Sequence, residues 1–297
     1  MKAKEKETLK KLKEIGIRDP YILLHNNLYY MYGTRNTTAW GLANGFDVYV
    51  SADLTNWEGP FEVFHNDGTF WATKNYWAPE CVRYKNRFYL IATFGSSERK
   101  KGIQILSSDS PKGPFLPLTK SPITPETWNA IDGTFHIDGQ ENPWLIFSHS
   151  LPEEPRGAMC AMKLSDDLTK GIEDPIVLFY ADQAAWTRAI PFAKEEFGLD
   201  GDVYFSDGPF LFKNEYGKLM MIWSSWSESG YSVGTANSQN GNIEGPWIQN
   251  KEAFYTQNGG HGMLFRTKAG NLKLALHSPN ETLMERATFI DLTESLS

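Results

Sequence analysis

The sequence contains only two cysteines, too few for a disulfide framework. Cys81 and Cys160 each lie in an apolar stretch, so we expect two buried thiols that pack as small hydrophobic side chains. No stretch reaches the roughly 20 apolar residues of a membrane span. The Lys- and Glu-rich residues 1–16 lack the apolar core of a secretory signal. The sequence as given predicts a cytoplasmic protein without a membrane partner, or a secreted or periplasmic one if a signal has been removed.

Positively charged residues are fewer than negatively charged ones. There are 29 Lys and Arg against 36 Asp and Glu, a net charge of −7, and no basic run follows the opening segment. Such a surface repels a phosphate backbone, so nucleic acid is excluded as an expected partner. Hydrophobic residues make up 41% and charged residues 22% of the 297, as in globular proteins rather than disordered ones. No feature of the sequence predicts the oligomeric state.

Aromatic residues and turn formers, in contrast, are abundant. The 10 Trp, 13 Tyr and 18 Phe, with 25 Gly and 16 Pro, favour strands and turns over helices. One short helix is predicted within residues 4–15, where Leu9, Leu12 and Ile15 are spaced three apart among charges. After Arg18, apolar runs of five or six residues alternate with turns, which is the all-β pattern.

These apolar runs form an internal repeat. Residues 19–23 lead through a turn to residues 28–32, and four similar hairpins follow, with second strands beginning at residues 88, 143, 219 and 272. Each interval is long enough for a four-stranded sheet, and radial repetition of small sheets is a β-propeller. The sequence therefore predicts a five-bladed propeller over residues 18–297 as one domain, after a helical extension at residues 1–17. A two-sheet sandwich would leave the five-fold repeat unexplained.

The leading residue of each repeat is expected to face the propeller axis, which the innermost strands line. These residues are Asp19, Ala78, Asp132, Asp207 and His261. Burying three carboxylates without partners would cost several kcal/mol each, so their matched positions favour a solvated functional pocket over a purely turn-forming role. Two carboxylates flanking a sugar can protonate the leaving oxygen and activate water, as glycoside hydrolysis requires. A third can shift the pKa of its neighbour.

Further candidates lie on the connections between blades. Six aromatic residues there would either stack on sugar faces or wedge between blades: Trp40, Trp71, Tyr76, Trp77, Trp128 and Trp186. Arg188 and Arg266 would either bind sugar hydroxyls or form surface salt bridges. Residues 195–201, within the longest interval of the repeat, predict an added loop that walls off a pocket and so favours release of terminal sugars.

Five motifs occur in the order found in glycoside hydrolase family 43, which the chain resembles throughout after Arg18. They are Arg18-Asp19-Pro20-Tyr21, Trp77-Ala78-Pro79-Glu80, Ile131-Asp132-Gly133, Ser206-Asp207-Gly208-Pro209 and Gly260-His261-Gly262. The resemblance implies an inverting hydrolase that releases arabinofuranosyl or xylosyl residues from plant cell-wall polysaccharides or their oligosaccharides. The alternatives are an endo-acting arabinanase or xylanase of the same family and a non-catalytic carbohydrate-binding propeller.

The resemblance also implies a role for each matched residue. Asp19 resembles the general base, Asp132 the carboxylate that tunes the acid and orients the substrate, and Asp207 the general acid. The family usually has Glu-Gly-Pro at the acid motif, whereas this chain has Asp-Gly-Pro, so Glu80 and Glu228 are alternative acids. The expected substrate-binding residues are Trp77, Glu80, Arg188, Arg266 and His261.

His261 resembles the family's axial histidine, which contacts a water or a cation such as calcium. Calcium prefers six to eight oxygen ligands, so an ion held by His261 would be coordinated mainly by water. The other histidines show no spacing typical of a zinc site. We therefore expect no required cofactor, with a water-coordinated Ca²⁺ near the axis as the one ion that the resemblance implies.

Overall fold

In the computed structural model, residues 9–292 are described, and they form five antiparallel sheets. The first sheet contains β1 (Lys10–Lys11), β2 (Ile17–His25), β3 (Leu28–Arg35), β4 (Gly45–Ser51) and β5 (Asn56–His65). The second contains β6 (Lys74–Tyr84), β7 (Arg87–Gly95), β8 (Gly102–Ser108) and β9 (Leu116–Pro117). The third contains β10 (Ala130–Ile137), β11 (Pro143–His149), β12 (Ala158–Lys163) and β13 (Ile176–Tyr180).

The remaining sheets follow the same order along the chain. The fourth contains β14 (Asp207–Lys213), β15 (Leu219–Ser227), β16 (Gly230–Ser238) and β17 (Trp247–Gln249), and the fifth contains β18 (Gly260–Arg266), β19 (Leu272–Ser278) and β20 (Arg286–Asp291). The first long strands of the sheets, β2, β6, β10, β14 and β18, contact one another in a closed ring. The protein is therefore a five-bladed β-propeller, as the repeat predicted.

Aromatic side chains fill the space between blades. Between the first two, the rings of Phe46, Phe64, Tyr76 and Phe94 pack with centroids 4.9–6.1 Å apart. Between the third and fourth, Trp186 packs against Trp223 at 4.8 Å. Tyr76 and Trp186, two of the aromatic candidates, therefore serve as wedges in the core.

Two further sequence-based expectations concern the cysteines and membrane contact. Cys81 and Cys160 are buried, free thiols, as predicted. Within residues 9–292, no helix is long and apolar enough to cross a membrane.

The N-terminal segment differs from the predicted helix. Lys10 and Lys11 pair with β5, and residues 12–14 form a single 3₁₀ turn; the part of the prediction before residue 9 lies outside the described residues. The apolar spacing has another cause, because Ile15 is buried in a core cluster with Trp57 and Leu12 packs against the same cluster. The described residues before 18 thus form part of the first blade instead of a helical extension.

The ring closes between the first and fifth blades. The fifth sheet has three strands within the described chain, and Gly16 forms an antiparallel bridge to Arg286 beside its outer strand β20. The Ile17 amide donates to the carbonyl of Glu285 at 3.2 Å. The guanidinium of Arg18 then pairs with the Glu285 carboxylate at 2.8 Å, with both side chains largely buried. The residues just before Asp19 therefore join the two ends of the ring.

Candidate active site

A bulge interrupts each innermost strand at the same place. The pairing with the second strand shifts register there, and one residue adopts a left-handed backbone conformation. A bulge of this kind redirects a side chain. The five left-handed residues are Asp19 (φ 52°), Ala78 (46°), Asp132 (58°), Gly208 (49°) and His261 (52°). Asp19, Asp132 and His261 are thereby brought together around one cavity.

In the fourth blade the predicted leading residue, Asp207, is wrong by one position. Asp207 pairs with Ser224 just as Arg18 pairs with Thr34, so it precedes the bulge, and Gly208 holds the position equivalent to Asp19. A Cβ on Gly208 would lie 2.8 Å from Cγ of His261, and its φ is positive, so both contact and conformation require glycine there. Asp207 nevertheless lines the same cavity as Asp19 and Asp132.

Asp19 lies at the floor of the cavity and is 8% exposed. Its Oδ2 accepts a hydrogen bond from the Thr34 hydroxyl at 2.6 Å. Its Oδ1 lies 3.3 Å from Nδ1 of His277 and 3.4 Å from Nδ1 of His261. Burial alone would raise the pKa of Asp19, but the nearby His261 and Arg18 hold it well below the usual range. Asp19 is therefore ionised.

Asp132 faces the same histidine from the third blade. Its Oδ2 lies 3.6 Å from Nδ1 of His261 and accepts a hydrogen bond from the Gly208 amide at 3.1 Å. The Asp132 amide in turn donates to the Thr93 hydroxyl at 2.9 Å. Burial, with the negative charge of Asp19, raises the pKa of Asp132 to about 7. One imidazole nitrogen thus contacts two carboxylates that differ in proton affinity.

Asp207 lies at the edge of the floor, half-buried. Its Oδ2 accepts a hydrogen bond from the Tyr231 hydroxyl at 3.3 Å. Burial and the nearby charge of Asp132 raise its pKa to about 7, although His261 and Tyr231 act in the opposite direction. The pKa of Asp19 is therefore well separated from those of Asp132 and Asp207, with Asp19 ionised and Asp207 protonated in mildly acidic solution. Pairs of this kind mark acid and base assignments.

The cavity opens into a cleft of about 540 Å³, within the range of small-molecule sites. Trp40 and Trp77 form one wall, with their rings 5.4 Å apart, and Arg18 lies 5.1 Å from the Trp40 ring. Trp77, one of the predicted substrate-binding residues, therefore lines the cleft. Its indole nitrogen donates to the Ala39 carbonyl at 2.6 Å, which fixes the ring.

Another part of the lining comes from the segment before β14, which contains the short helix α1 (Ala193–Phe197). Glu196 and Phe197 line the cleft, so the predicted loop at residues 195–201 does form part of a wall. Other lining residues were not identified from the sequence: Arg18, Lys101, Phe192, Phe205, Trp226 and Tyr231. Arg18 could have been predicted from the sequence, because it precedes Asp19 in the repeat. The others could not, because only the folded chain brings them to the cleft.

Glu80 lies outside the cleft lining in the described chain. It is 7% exposed in β6 and accepts a hydrogen bond from the Thr134 hydroxyl at 2.8 Å. Burial raises its pKa to about 8, and the charge of Asp132 adds to this shift. Its predicted roles in substrate binding and as an alternative acid are therefore not supported by its position.

Arg188, Glu228 and Arg266 are likewise absent from the described cleft lining. Arg188 pairs with Glu228 at 2.8 Å on the surface, which is the surface salt bridge that the sequence analysis gave as the alternative for Arg188. Arg266 lies at the far end of β18, five residues and about 16 Å beyond His261. It is exposed there and donates to the Gly270 carbonyl at 3.0 Å.

The remaining aromatic candidates also lie outside the cleft. Trp71 donates to Gln104 at 2.7 Å and packs against the first core cluster. Trp128 stacks on His149 with the rings 4.1 Å apart.

The axial residues do not form a cation site made of protein ligands alone. Among residues 9–292, no group of three or more His, Cys, Asp or Glu side chains is arranged to hold a metal ion. Nδ1 of His261 is directed toward Asp19 and Asp132. Since calcium prefers six to eight oxygens, this donor set does not fit a protein-coordinated Ca²⁺. The water-coordinated ion stays a prediction.

Comparison with known proteins agrees with the propeller fold. The family model for glycosyl hydrolases family 43 matches residues 14–294. The crystal structure of an endo-arabinase from Bacteroides thetaiotaomicron VPI-5482 superposes with a TM-score of 0.87 at 35% identity, covering 98% of each chain. An α-L-arabinofuranosidase from Lactobacillus brevis has a TM-score of 0.73 at 14% identity, covering 96% of this chain and 93% of that one, which shows the fold alone.

A sequence relative adds a partial match. The extracellular endo-alpha-(1->5)-L-arabinanase 1 of Bacillus subtilis (strain 168) is 28% identical over 145 residues. That segment is 44% of this chain and 42% of the relative, so the match spans less than half of either protein. Because the family model extends across the propeller and the B. thetaiotaomicron structure superposes over nearly the whole chain, the protein belongs to family 43 of the glycosyl hydrolases and is a glycosidase.

Proposed function

We propose that this glycosidase hydrolyses α-1,5-linked arabinofuranosyl chains, as arabinan and its oligosaccharides, by an inverting mechanism. The observation that carries the proposal is the meeting of Asp19, Asp132 and Asp207 at the floor of one cleft beside His261. Inverting hydrolysis needs an ionised carboxylate and a protonated one on opposite sides of the sugar. The low pKa of Asp19 and the raised pKa of Asp207 supply that pair.

In this mechanism Asp19 is the general base. Its carboxylate accepts a proton from water as the water attacks the anomeric carbon, while the Thr34 hydroxyl and the two histidines hold its orientation. Asp207 is the general acid and gives its proton to the leaving glycosidic oxygen. Asp132 raises the pKa of Asp207 through its charge and would orient the sugar. The base ends protonated and the acid ionised, so the two exchange protons with solvent before the next turnover.

The shorter acid is compatible with the surroundings of Asp207. Aspartate reaches about 1.5 Å less far than glutamate, and proton transfer requires an approach of about 2.6–3.2 Å. Asp207 lines the cleft directly, and Tyr231 fixes one of its oxygens. The alternative acids are less suitable, because Glu80 is buried against Thr134 and Glu228 is paired with Arg188.

Cleavage within the chain is the mode that we favour. The cleft is larger than a single pentose and is lined from all five blades, which supports binding of several sugar units. The similar B. thetaiotaomicron and B. subtilis proteins are both named as endo-acting on arabinan-type substrates. Release of terminal arabinose is the second candidate, because residues 192–205 wall one side of the cleft. Xylosyl linkages are the less favoured substrate class.

The test is a substrate panel with product analysis. The enzyme is assayed with and without EDTA on linear arabinan, arabino-oligosaccharides, xylan, an aryl α-L-arabinofuranoside and an aryl β-D-xyloside. We expect a mixture of oligosaccharides from arabinan at low conversion, inverted anomers by NMR, and full activity in EDTA. Release of arabinose alone would favour terminal action, and preference for xylan would change the substrate class. Asp19→Asn is the inactive control, and a wild type that binds arabinan without cleaving any substrate would indicate a binding module.

A further inference from the structure

A second pocket adjoins the proposed active-site cleft on the side of the second and third blades. It has a volume of about 250 Å³, and Lys101 lines both it and the cleft. Its walls are two connections, residues 98–102 before β8 and residues 122–128 before β10. The two pockets are therefore adjacent, with the Lys101 side chain shared between them.

Trp128 gives this pocket a fixed aromatic surface. One face of its indole stacks on His149, with the rings 4.1 Å apart and 8° from parallel. The Trp128 amide donates to the Pro125 carbonyl at 3.1 Å. Trp128 lines the pocket and its ring is held by His149, so a ligand would not have to order it. Rigid aromatic rings beside polar groups suit sugars, which present both C–H faces and hydroxyls.

The charges around the pocket indicate a neutral ligand. The Lys100 ammonium is bound to Glu153 at 2.8 Å and to the Thr127 carbonyl at 2.6 Å. The Arg99 guanidinium lies 5.8 Å from the ring of Trp71. Glu98 and Glu126 line the same pocket and oppose an anion. Neutral hydroxyl-rich units therefore fit better than phosphate or uronate groups.

The position of the pocket relative to the carboxylates sets what it would hold. Trp128 precedes Asp132 by four residues, so their Cα atoms lie at most about 14 Å apart. Ile131, between them, lines the main cleft, and the Ala130 amide donates to the Lys101 carbonyl at 3.1 Å. A chain that is cleaved at Asp19 and Asp207 and leaves the cleft past Lys101 would reach Trp128 within a few sugar units.

We propose that the pocket lined by Lys101, Thr124, Glu126 and Trp128 is a distal subsite that binds neutral pentose units of the same polysaccharide chain, several units from the point of cleavage. This proposal rests on the proposed function, since its ligand is a part of that substrate. Trp128 stacks on a sugar ring, and Lys101 contacts the chain where it passes from the cleft into the pocket. The subsite would favour long chains over short ones.

The experiment compares chain lengths. In the wild type we expect kcat/KM to rise by tenfold or more from arabinotriose to arabino-octaose. Trp128→Ala should lower kcat/KM for the octaose about tenfold, the scale of one stacked aromatic contact, and for the triose less than twofold. Trp128→Phe should recover most of the loss. Tyr216→Ala removes an aromatic ring that is 71% exposed in the turn between β14 and β15, outside both pockets, and serves as the matched control.

Three results would overturn the subsite. The wild-type kcat/KM could show no dependence on chain length. Trp128→Ala could lower kcat/KM by the same factor for the triose and the octaose, or lower it for neither. If Trp128→Ala does not fold, Glu126→Trp, which would fill the pocket from an exposed position, should lower kcat/KM for the octaose and spare the triose, and an equal effect on both substrates would overturn the subsite. Failure of the proposed function gives a different result, because the wild type would then cleave no arabino-oligosaccharide of any length.

Discussion

Nδ1 of His277 contacts Asp19 twice: it accepts the hydrogen of the Asp19 amide at 3.2 Å and lies 3.3 Å from the carboxylate Oδ1. In the other four blades the position equivalent to His277 carries a hydroxyl, in Thr34, Thr93, Ser148 and Ser224. Nε2 of His277 lies 3.1 Å from Oδ1 of Asn280. Because Nδ1 accepts the amide hydrogen, the ring proton is on Nε2, and burial lowers the pKa of His277, which favours this neutral form.

His277 is accordingly predicted to position the base without touching the substrate. His277→Leu should lower kcat about 10–100-fold with little change in KM, because small misplacements of a catalytic group have effects of this size. His277→Asn keeps an acceptor near the place of Nδ1 and should recover a large part of kcat. Steady-state kinetics and thermal unfolding of both variants check this. Equal kcat for the two variants, or a loss confined to KM, would contradict the positioning role.

Asp207→Ala tests the acid. We expect cleavage of arabino-oligosaccharides to fall by roughly 10²–10⁴, the usual range for general acid catalysis, while aryl arabinofuranosides lose much less. The reason is that a good leaving group needs little protonation. Asp19→Asn should abolish turnover of both substrates to within a few per cent. An equal loss on both substrates for Asp207→Ala would make Asp207 a substrate-positioning group.

The pH dependence follows from the same groups. Asp207 must be protonated to act, and its pKa is raised to about 7, so kcat/KM on oligosaccharides should fall as pH rises through about 7. The pKa of Asp19 is held well below its usual range, so activity should persist on the acidic side until the fold is lost. With an aryl arabinofuranoside, whose leaving group needs little protonation, the wild-type alkaline limb should be much weaker. An unchanged limb would assign it to another group, such as Asp132.

Glu80 should influence stability more than catalysis. Its folded-state pKa is raised to about 8, so the native state binds the proton more tightly than the unfolded chain does. Its contribution to the free energy of unfolding is therefore present below about pH 4 and decreases until about pH 8. Glu80→Gln lacks this dependence and should gain stability relative to wild type as pH rises from 5 to 8. Urea unfolding at several pH values measures the free energy of unfolding of both proteins. The same pH dependence in wild type and Glu80→Gln would contradict this prediction.

The Arg18–Glu285 pair should dominate the stability of the closure. Glu285 is 0% exposed, and among the described residues its Oε2 has no hydrogen-bond partner. Removing one partner of a buried pair leaves an uncompensated charge, at a cost of about 3–5 kcal/mol. Arg18→Met should show that loss in urea unfolding, and the double variant with Glu285→Met should recover most of it. A double variant no more stable than Arg18→Met would show that the charge is not the cause.

The repeat allowed much of the fold to be predicted, because alternating apolar runs and turns are local properties of the sequence. The five second strands begin within one residue of the predicted positions, at residues 28, 87, 143, 219 and 272. The register at Asp207 was harder, since Gly208, Asp19 and Asp132 share a backbone conformation that their residue types do not specify. The N-terminal helix was wrong because apolar residues three apart also suit a segment docked on a sheet.

The site could be predicted only in its centre. Residues at the start of the repeats meet because the ring closes, and the repeat itself carries that information. The walls come from connections of unrelated sequence, so Phe192, Trp226 and Tyr231 had no local signal. Arg266 was misplaced for a simpler reason: a strand of seven residues carries its last side chain away from the axial end. The position of Arg188 depended on its partner Glu228.

The ring closes immediately next to Asp19, the proposed general base. Gly16, Ile17 and Arg18 join the fifth blade, and the next residue is Asp19, whose amide is held by His277 from that blade. Any loosening of this joint moves Asp19 away from Asp207 while the hairpins of each blade are still intact. Turnover would then decline before circular dichroism records a loss of strands. The reaction rate should therefore report an opening of the ring more sensitively than circular dichroism, which averages over the strands of all five blades.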